Sequence, residues 1–142
     1  MKTEIQTQVR DLARNFSNEV VRPLAENLDE TERFPNELYL QMGELGLFGI
    51  GVPEADGGPG FDTVTYALVM EELSRGYASV ADQCGLIELI TTLLVRHGTD
   101  VQKSKYLEDV MKAKKLVAYC ISEPEAGTDV SGIRTIAKRN GH

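Results

Sequence analysis

Leu116-Val117-Ala118-Tyr119-Cys120-Ile121, followed by Ser122-Glu123-Pro124-Glu125-Ala126-Gly127-Thr128-Asp129-Val130-Ser131-Gly132, is where this 142-residue sequence changes period. Upstream, apolar residues recur at steps of three and four. From Leu116 they form a short continuous run, which predicts a strand, and the turn formers after it predict a loop over 122–132. Residues 133–139 read as a second strand, and Asn140-Gly141 is a hairpin-turn dipeptide one residue before His142. Two strands cannot make a stable sheet alone. The fold expected is therefore mainly α: a helical bundle over residues 1–113, then residues 114–142 as the incomplete start of a β-domain.

The helices are legible one by one. Ile5, Val9, Leu12, Phe16, Val20, Leu24 and Leu28 lie on one helical stripe, opened by a Thr3/Gln6 capping box. Pro23 inside that stripe lacks an N–H and crowds the Glu19 carbonyl, so a kink or break is expected there. Pro35-Asn36-Glu37 opens a second helix with Leu38, Met42 and Leu45, closed by Gly46. Residues 47–52 are apolar and glycine-punctuated, expected extended and buried, and residues 53–60 are the strongest loop signal in the chain. Asp62 caps a third helix with Val64, Ala67 and Leu68 expected inward, ending at Gly76. Ser79 opens a fourth over 80–97, apolar most of the way round and so expected buried. Thr99 and Gln102 form a second capping box for a helix carrying Tyr106, Leu107, Val110 and Met111.

Composition narrows the function classes. With 42% hydrophobic and 26% charged residues the chain is globular in composition. The net charge of −7 argues against a generic nucleic-acid binder. No membrane span and no leader sequence are expected, which makes a cytoplasmic location the default. Residues 101–142 nevertheless carry eight basic and five acidic side chains. That excess fits either a solvated helix face or a patch facing an anionic ligand. Cys84 and Cys120 are 36 positions apart, without metal-ligand spacing, and neither His97 nor His142 has a partner spacing. No metal site and no catalytic residue are assigned. There is no GxSxG, GxGxxG, P-loop or HExxH motif, and Gly57-Gly58-Pro59-Gly60 reads as a turn.

That leaves residues 119–132. A strand delivering Ser122 into a Pro/Ala/Gly turn with Thr128 can offer backbone N–H groups and two hydroxyls to a flat polar ligand. Against this, Glu123, Glu125 and Asp129 would repel an anionic group unless they point away or cap backbone donors. An acidic surface loop is the alternative reading.

This segment, read as Cys120-Ile121-Ser122-Glu123, then Ala126-Gly127-Thr128-Asp129 and Gly132, resembles the acyl-CoA dehydrogenase signature. Arg22-Pro23-Leu24-Ala25, Gly46-Leu47-Phe48-Gly49, Val52-Pro53-Glu54, Glu71-Glu72-Leu73-Ser74 and Lys105-Tyr106-Leu107 extend the resemblance collinearly along the chain. The family pairs an N-terminal helical domain with a middle β-domain and a C-terminal four-helix domain. Its flavoproteins, homo-oligomers (tetramers or dimers) of fatty acid metabolism, dehydrogenate acyl-CoA thioesters between the α and β carbons and pass electrons to electron-transfer flavoprotein or a similar acceptor. By that resemblance Tyr119, Cys120, Ile121, Ser122, Gly127 and Thr128 line FAD. Ser122 would meet the flavin pyrimidine edge, and Thr128 would lie where flavin and thioester meet. Gly85 and Leu89 would line the acyl-chain pocket. Thr128 stands where Ser is commoner and Glu125 where Gly is commoner. The family's glutamate base belongs to the C-terminal domain, so residues 1–142 alone are expected to be inactive. A flavin acyl-CoA oxidase and a natively short, non-catalytic helical interaction module are the alternatives.

Overall fold

The computed structural model describes residues 3–141. Met1, Lys2 and the His142 that was expected to follow the hairpin dipeptide lie outside the described residues. The element order is α1 (Glu4–Phe16), a π turn (Ser17–Val21), a 3₁₀ turn (Arg22–Leu24), α2 (Ala25–Thr31), α3 (Asn36–Glu44), a 3₁₀ turn (Glu54–Asp56), α4 (Thr63–Gly76), α5 (Ala78–His97), α6 (Asp100–Met111) and a last 3₁₀ turn (Val130–Gly132).

Local chemistry sets most of these boundaries. The capping boxes form as expected: Gln6 N–H donates to Thr3 Oγ1 at 3.1 Å while the Gln6 side chain accepts from Thr3 N–H, and Thr99 with Gln102 repeats the arrangement. Asp62 caps α4, accepting from Thr65 N–H at 2.8 Å. The expected disturbance at Pro23 is a widening followed by a tightening. Without a Pro23 N–H to continue the ladder, the backbone takes a π turn, with Arg22 N–H reaching Ser17 O, and then a 3₁₀ turn before α2 resumes. Gly46, at φ +70°, ends α3 in the left-handed conformation, and Leu47 N–H closes back onto Met42 O at 2.9 Å.

α4 is the middle of the packing, against α1 on one side and α5 on the other. Its buried face is Thr65, Leu68, Val69, Glu72 and Leu73. Val64 is 54% exposed and Ala67 is also exposed, so the inward stripe sits one position later than the sequence suggests. The Thr65 hydroxyl bonds the Asp62 cap, which turns that residue inward in place of Val64. Glu72, 3% exposed, is held by Arg14 from α1 at 2.6 Å. Residues 47–52 are buried as expected, apart from the exposed Gly51, but not extended. Gly49 at φ +67° and a Val52 N–H to Gly49 O bond fold them into a turn against the bundle.

Two further expectations are corrected. α5 is not buried on all sides, since Leu89 and Leu93 are each 38% exposed. By length and mean hydropathy (20 residues, 1.4) α5 could cross a bilayer. Here it packs laterally on α4 and α6 instead. Neither 116–121 nor 133–139 forms a strand among the described residues. The one β feature is an isolated antiparallel bridge between Glu123 and Ala126. A strand's N–H and C=O groups need a second chain segment at ladder distance. Among the described residues neither segment has a backbone ladder partner, and Leu116 (65%) and Ile136 (74%) face solvent.

α5 also turns a carboxylate inward. Glu88 Oε1 accepts from Gly51 N–H at 2.9 Å, and its buried Oε2 has no partner among the described residues. A Cβ on Gly51 would stand 2.4 Å from Oε1, so any side chain there would push the Glu88 carboxylate aside. Burial raises the Glu88 pKa above its ordinary 4.5, opposed by the Gly51 and Ile50 backbone bonds. Its neutral form therefore favours folding: that contribution is full below pH 4.5 and is lost as pH rises through the raised value. Measured by urea unfolding, wild type should lose stability relative to Glu88→Gln as the pH rises above 4.5. A difference that stays flat as the pH rises would contradict the burial argument.

Candidate functional site

The loop after α6 is built by its own carboxylates. Glu123 and Ala126 exchange backbone bonds at 2.9 and 3.2 Å around Pro124-Glu125, making a tight turn that tucks Ala126 inward. The Glu123 carboxylate then reaches forward: Oε2 accepts from Arg134 N–H and Oε1 from Thr135 N–H, both at 2.8 Å, and the Thr135 hydroxyl also donates to Oε1. These bonds, the Arg134 amide first, hold its pKa below the ordinary carboxylate value. Asp129 caps the Val130–Gly132 turn, accepting from the Ser131 hydroxyl and the Ser131 N–H, and is lowered for that reason. Glu125 pairs with Arg134 at 2.7 Å in full view of solvent. All three carboxylates that argued against an anionic ligand are thus engaged, two with backbone donors and one with a guanidinium.

The sequence-selected residues fall into two groups. Tyr119, Cys120, Ser122, Gly127 and Thr128 are exposed and Ile121 is half-buried. The loop's hydrogen bonds, among the described residues, run only within 123–135 and do not tie it to α5. Gly85 and Leu89 lie one turn apart on α5. A Cβ on Gly85 would meet the Tyr66 hydroxyl at 3.4 Å and Met70 Cε at 3.5 Å, so this stripe runs from contact with α4 out to open surface at Leu89.

Half of the eight basic side chains of the C-terminal third are paired within the chain: Lys103 with Asp56, Lys112 with Glu108, Lys115 with Asp109 and Arg134 with Glu125. That favours the solvated-face reading over an anion patch. A cleft of about 740 Å³ opens between the end of α3 and α6, over Phe48, Leu107 and Met111, with the Asp56–Lys103 pair at its edge. It contains none of the residues the sequence selected. Sequence reasoning missed Glu88, Glu72 and the link from Glu123 to residues 134–135. A carboxylate on an otherwise apolar helix face was the available signal for the first two.

The family model described as "Acyl-CoA dehydrogenase, N-terminal domain" matches residues 3–114. The chain belongs to the acyl-CoA dehydrogenase family. It is 40% identical over 144 residues to the short-chain specific acyl-CoA dehydrogenase of Clostridium acetobutylicum, covering 98% of this chain and 37% of that protein. A solved structure of the electron transferring flavoprotein of Acidaminococcus fermentans contains a chain matching 93% of this one at 34% identity and TM-score 0.86, over 35% of its own length. An acyl-CoA dehydrogenase from Bacillus anthracis solved with FAD matches at 34% identity and TM-score 0.83, over 93% of this chain and 23% of that one. The acyl-CoA dehydrogenase helical layer is therefore what α1–α6 form, and this chain spans little more than a third of the length of the curated relative.

The two thiols of this family member differ sharply. Cys84 is fully buried, its Sγ donates to Leu47 O at 3.0 Å, and burial pushes its pKa up to about 12, whereas Cys120 is exposed. Since the thiolate is the reacting form, a native-state alkylation time course read by peptide mass mapping should label Cys120 alone. Cys84 should react only after denaturation, and rapid native labelling of Cys84 would contradict its packing.

Proposed function

We propose that this chain supplies the flavin-facing loop and part of the acyl-binding wall of a flavin-dependent acyl-CoA dehydrogenase. The observation that carries this is the state of residues 119–128. They expose Ser122 and Thr128 while the Glu123, Glu125 and Asp129 carboxylates are each engaged by partners within the loop region. A loop that presents donors and ties its carboxylates to its own amides and to Arg134 fits the polar edge of FAD, and membership of the family makes FAD the cofactor to expect. Tyr119, Cys120, Ile121, Ser122, Gly127 and Thr128 would hold it, with Ser122 at the pyrimidine edge and Thr128 where flavin and thioester meet. FAD, when bound, supplies the acceptor for the hydride leaving the β carbon of an acyl-CoA thioester.

What the residues of this chain do is bind and orient. Gly85 and Leu89 would bound the acyl chain, with Leu89 offering half-exposed apolar surface for that contact. The base that takes the α-proton is assigned to sequence beyond these residues, as the family resemblance implies. Residues 1–142 alone are accordingly expected to show no turnover, since general-base catalysis is worth roughly 10²–10⁴-fold by itself. Electron-transfer flavoprotein or a similar acceptor, and assembly into a homo-oligomer, complete the proposal.

The full-length protein should be yellow, or become so on reconstitution with FAD, and should reduce an artificial acceptor with an acyl-CoA series. A colourless protein that cannot be reconstituted would overturn the proposal. Within an active enzyme, Leu89→Trp should shorten the longest acyl chain accepted, because overfilling a packed pocket costs on the order of 1–3 kcal/mol. Weakened folding with unchanged chain-length preference would make Leu89 a packing residue only.

A further inference from the structure

The structure assigns Glu123 as the positioning residue of the proposed flavin loop: its carboxylate binds the Arg134 and Thr135 backbone together and thereby fixes where Ser122 and Thr128 stand. The inference rests on the proposed FAD site and adds a residue with a role that site does not itself require. Glu123 immediately follows Ser122 in sequence, so any displacement of its side-chain anchor moves the Ser122 hydroxyl directly. On its other side the reciprocal backbone bonds to Ala126 carry the same anchor to Gly127 and Thr128.

The geometry explains why a carboxylate is needed here. Two successive backbone N–H groups, from residues 11 and 12 positions along the chain, point at one side chain, each at 2.8 Å, and the Thr135 hydroxyl adds a third donor. A carboxylate offers two oxygens to such donors, and charge-assisted bonds of this kind are roughly twice as strong as neutral ones. With no strand ladder among the described residues of this region, this side-chain link replaces the backbone pairing that would otherwise hold 133–135 beside 122–126. Glu125 provides the internal comparison. It lies two residues away and carries the same charge, but it pairs only with the exposed Arg134 guanidinium.

The test compares wild type, Glu123→Gln, Glu123→Asp and, as control, Glu30→Gln in the full-length protein. FAD affinity is read by fluorescence titration of the flavin-stripped protein, and amide exchange at Arg134 and Thr135 by mass spectrometry. Glu123→Gln loses one acceptor oxygen and should weaken FAD binding roughly 10- to 100-fold, the loss typical of removing a charge-assisted bond that organises a site. Exchange at residues 134–135 should quicken, with far-UV circular dichroism unchanged. Glu123→Asp keeps the charge but is one methylene short, and should fall between the two. Glu30→Gln, an exposed carboxylate on α2, should leave both readouts at the wild-type level.

Faster exchange at 134–135 with unchanged FAD affinity would refute the positioning role, as would full protection of those amides in Glu123→Gln. Should Glu123→Gln fail to fold, Glu123→Asp carries the same two readouts. Wild-type protein that takes up no FAD would overturn the proposed function and this inference together. Wild type and Glu123→Gln binding FAD equally well would overturn this inference alone.

Discussion

A helix satisfies its backbone N–H and C=O groups within one segment, whereas a strand must borrow partners from another, and this constraint divides the chain. α1 to α6 need only caps at their ends and one apolar stripe each, and both are encoded locally. Residues 114–141 hold a strand-like sequence without a ladder, so side chains take over. Glu123 collects the amides of residues 134 and 135, and Asp129 takes the Ser131 amide and hydroxyl in the last 3₁₀ turn. The same constraint leaves the Ser122 and Thr128 hydroxyls facing outward.

Within the helical layer, α4 occupies the middle and brings a carboxylate with it. Glu72 is tolerable there because Arg14 meets it from α1, and that bond holds its pKa below the ordinary value. Gln6 reaches the Asp62 cap of α4 at 3.0 Å, so the N-terminal turn of α1 is pinned to the start of α4. α5 is held to the turn at residues 50–51 by Glu88, with Leu89 and Leu93 left on its open side. Packing thus fixes one face of α5 and leaves the other open.

Most of the helical layer was legible in the sequence because caps and breakers act locally. Thr3/Gln6, Asp62, Thr99/Gln102, Pro23 and Gly46 each act at the expected place. The face of α4 was harder to read. Periodicity alone favoured Val64, but the hydroxyl of Thr65 has a partner in the Asp62 cap and takes the inward position. The partners of Glu72 and Glu88 were not legible, because a carboxylate on an apolar face is a visible signal that announces its partner only in three dimensions. At the candidate site the residue types in 119–132 could be read, and so could the conflict posed by the three carboxylates. Its resolution could not, since it depends on amides 11 and 12 positions downstream.

If the loop at residues 119–128 is the flavin edge, ligand contact should be written there and not in the helical layer. Hydrogen–deuterium exchange of the full-length protein, compared with and without FAD, reads this residue by residue. Protection gained over 119–128, with α1 to α4 unchanged, is the predicted result. FAD binding that leaves 119–128 exchanging as fast as before would contradict it.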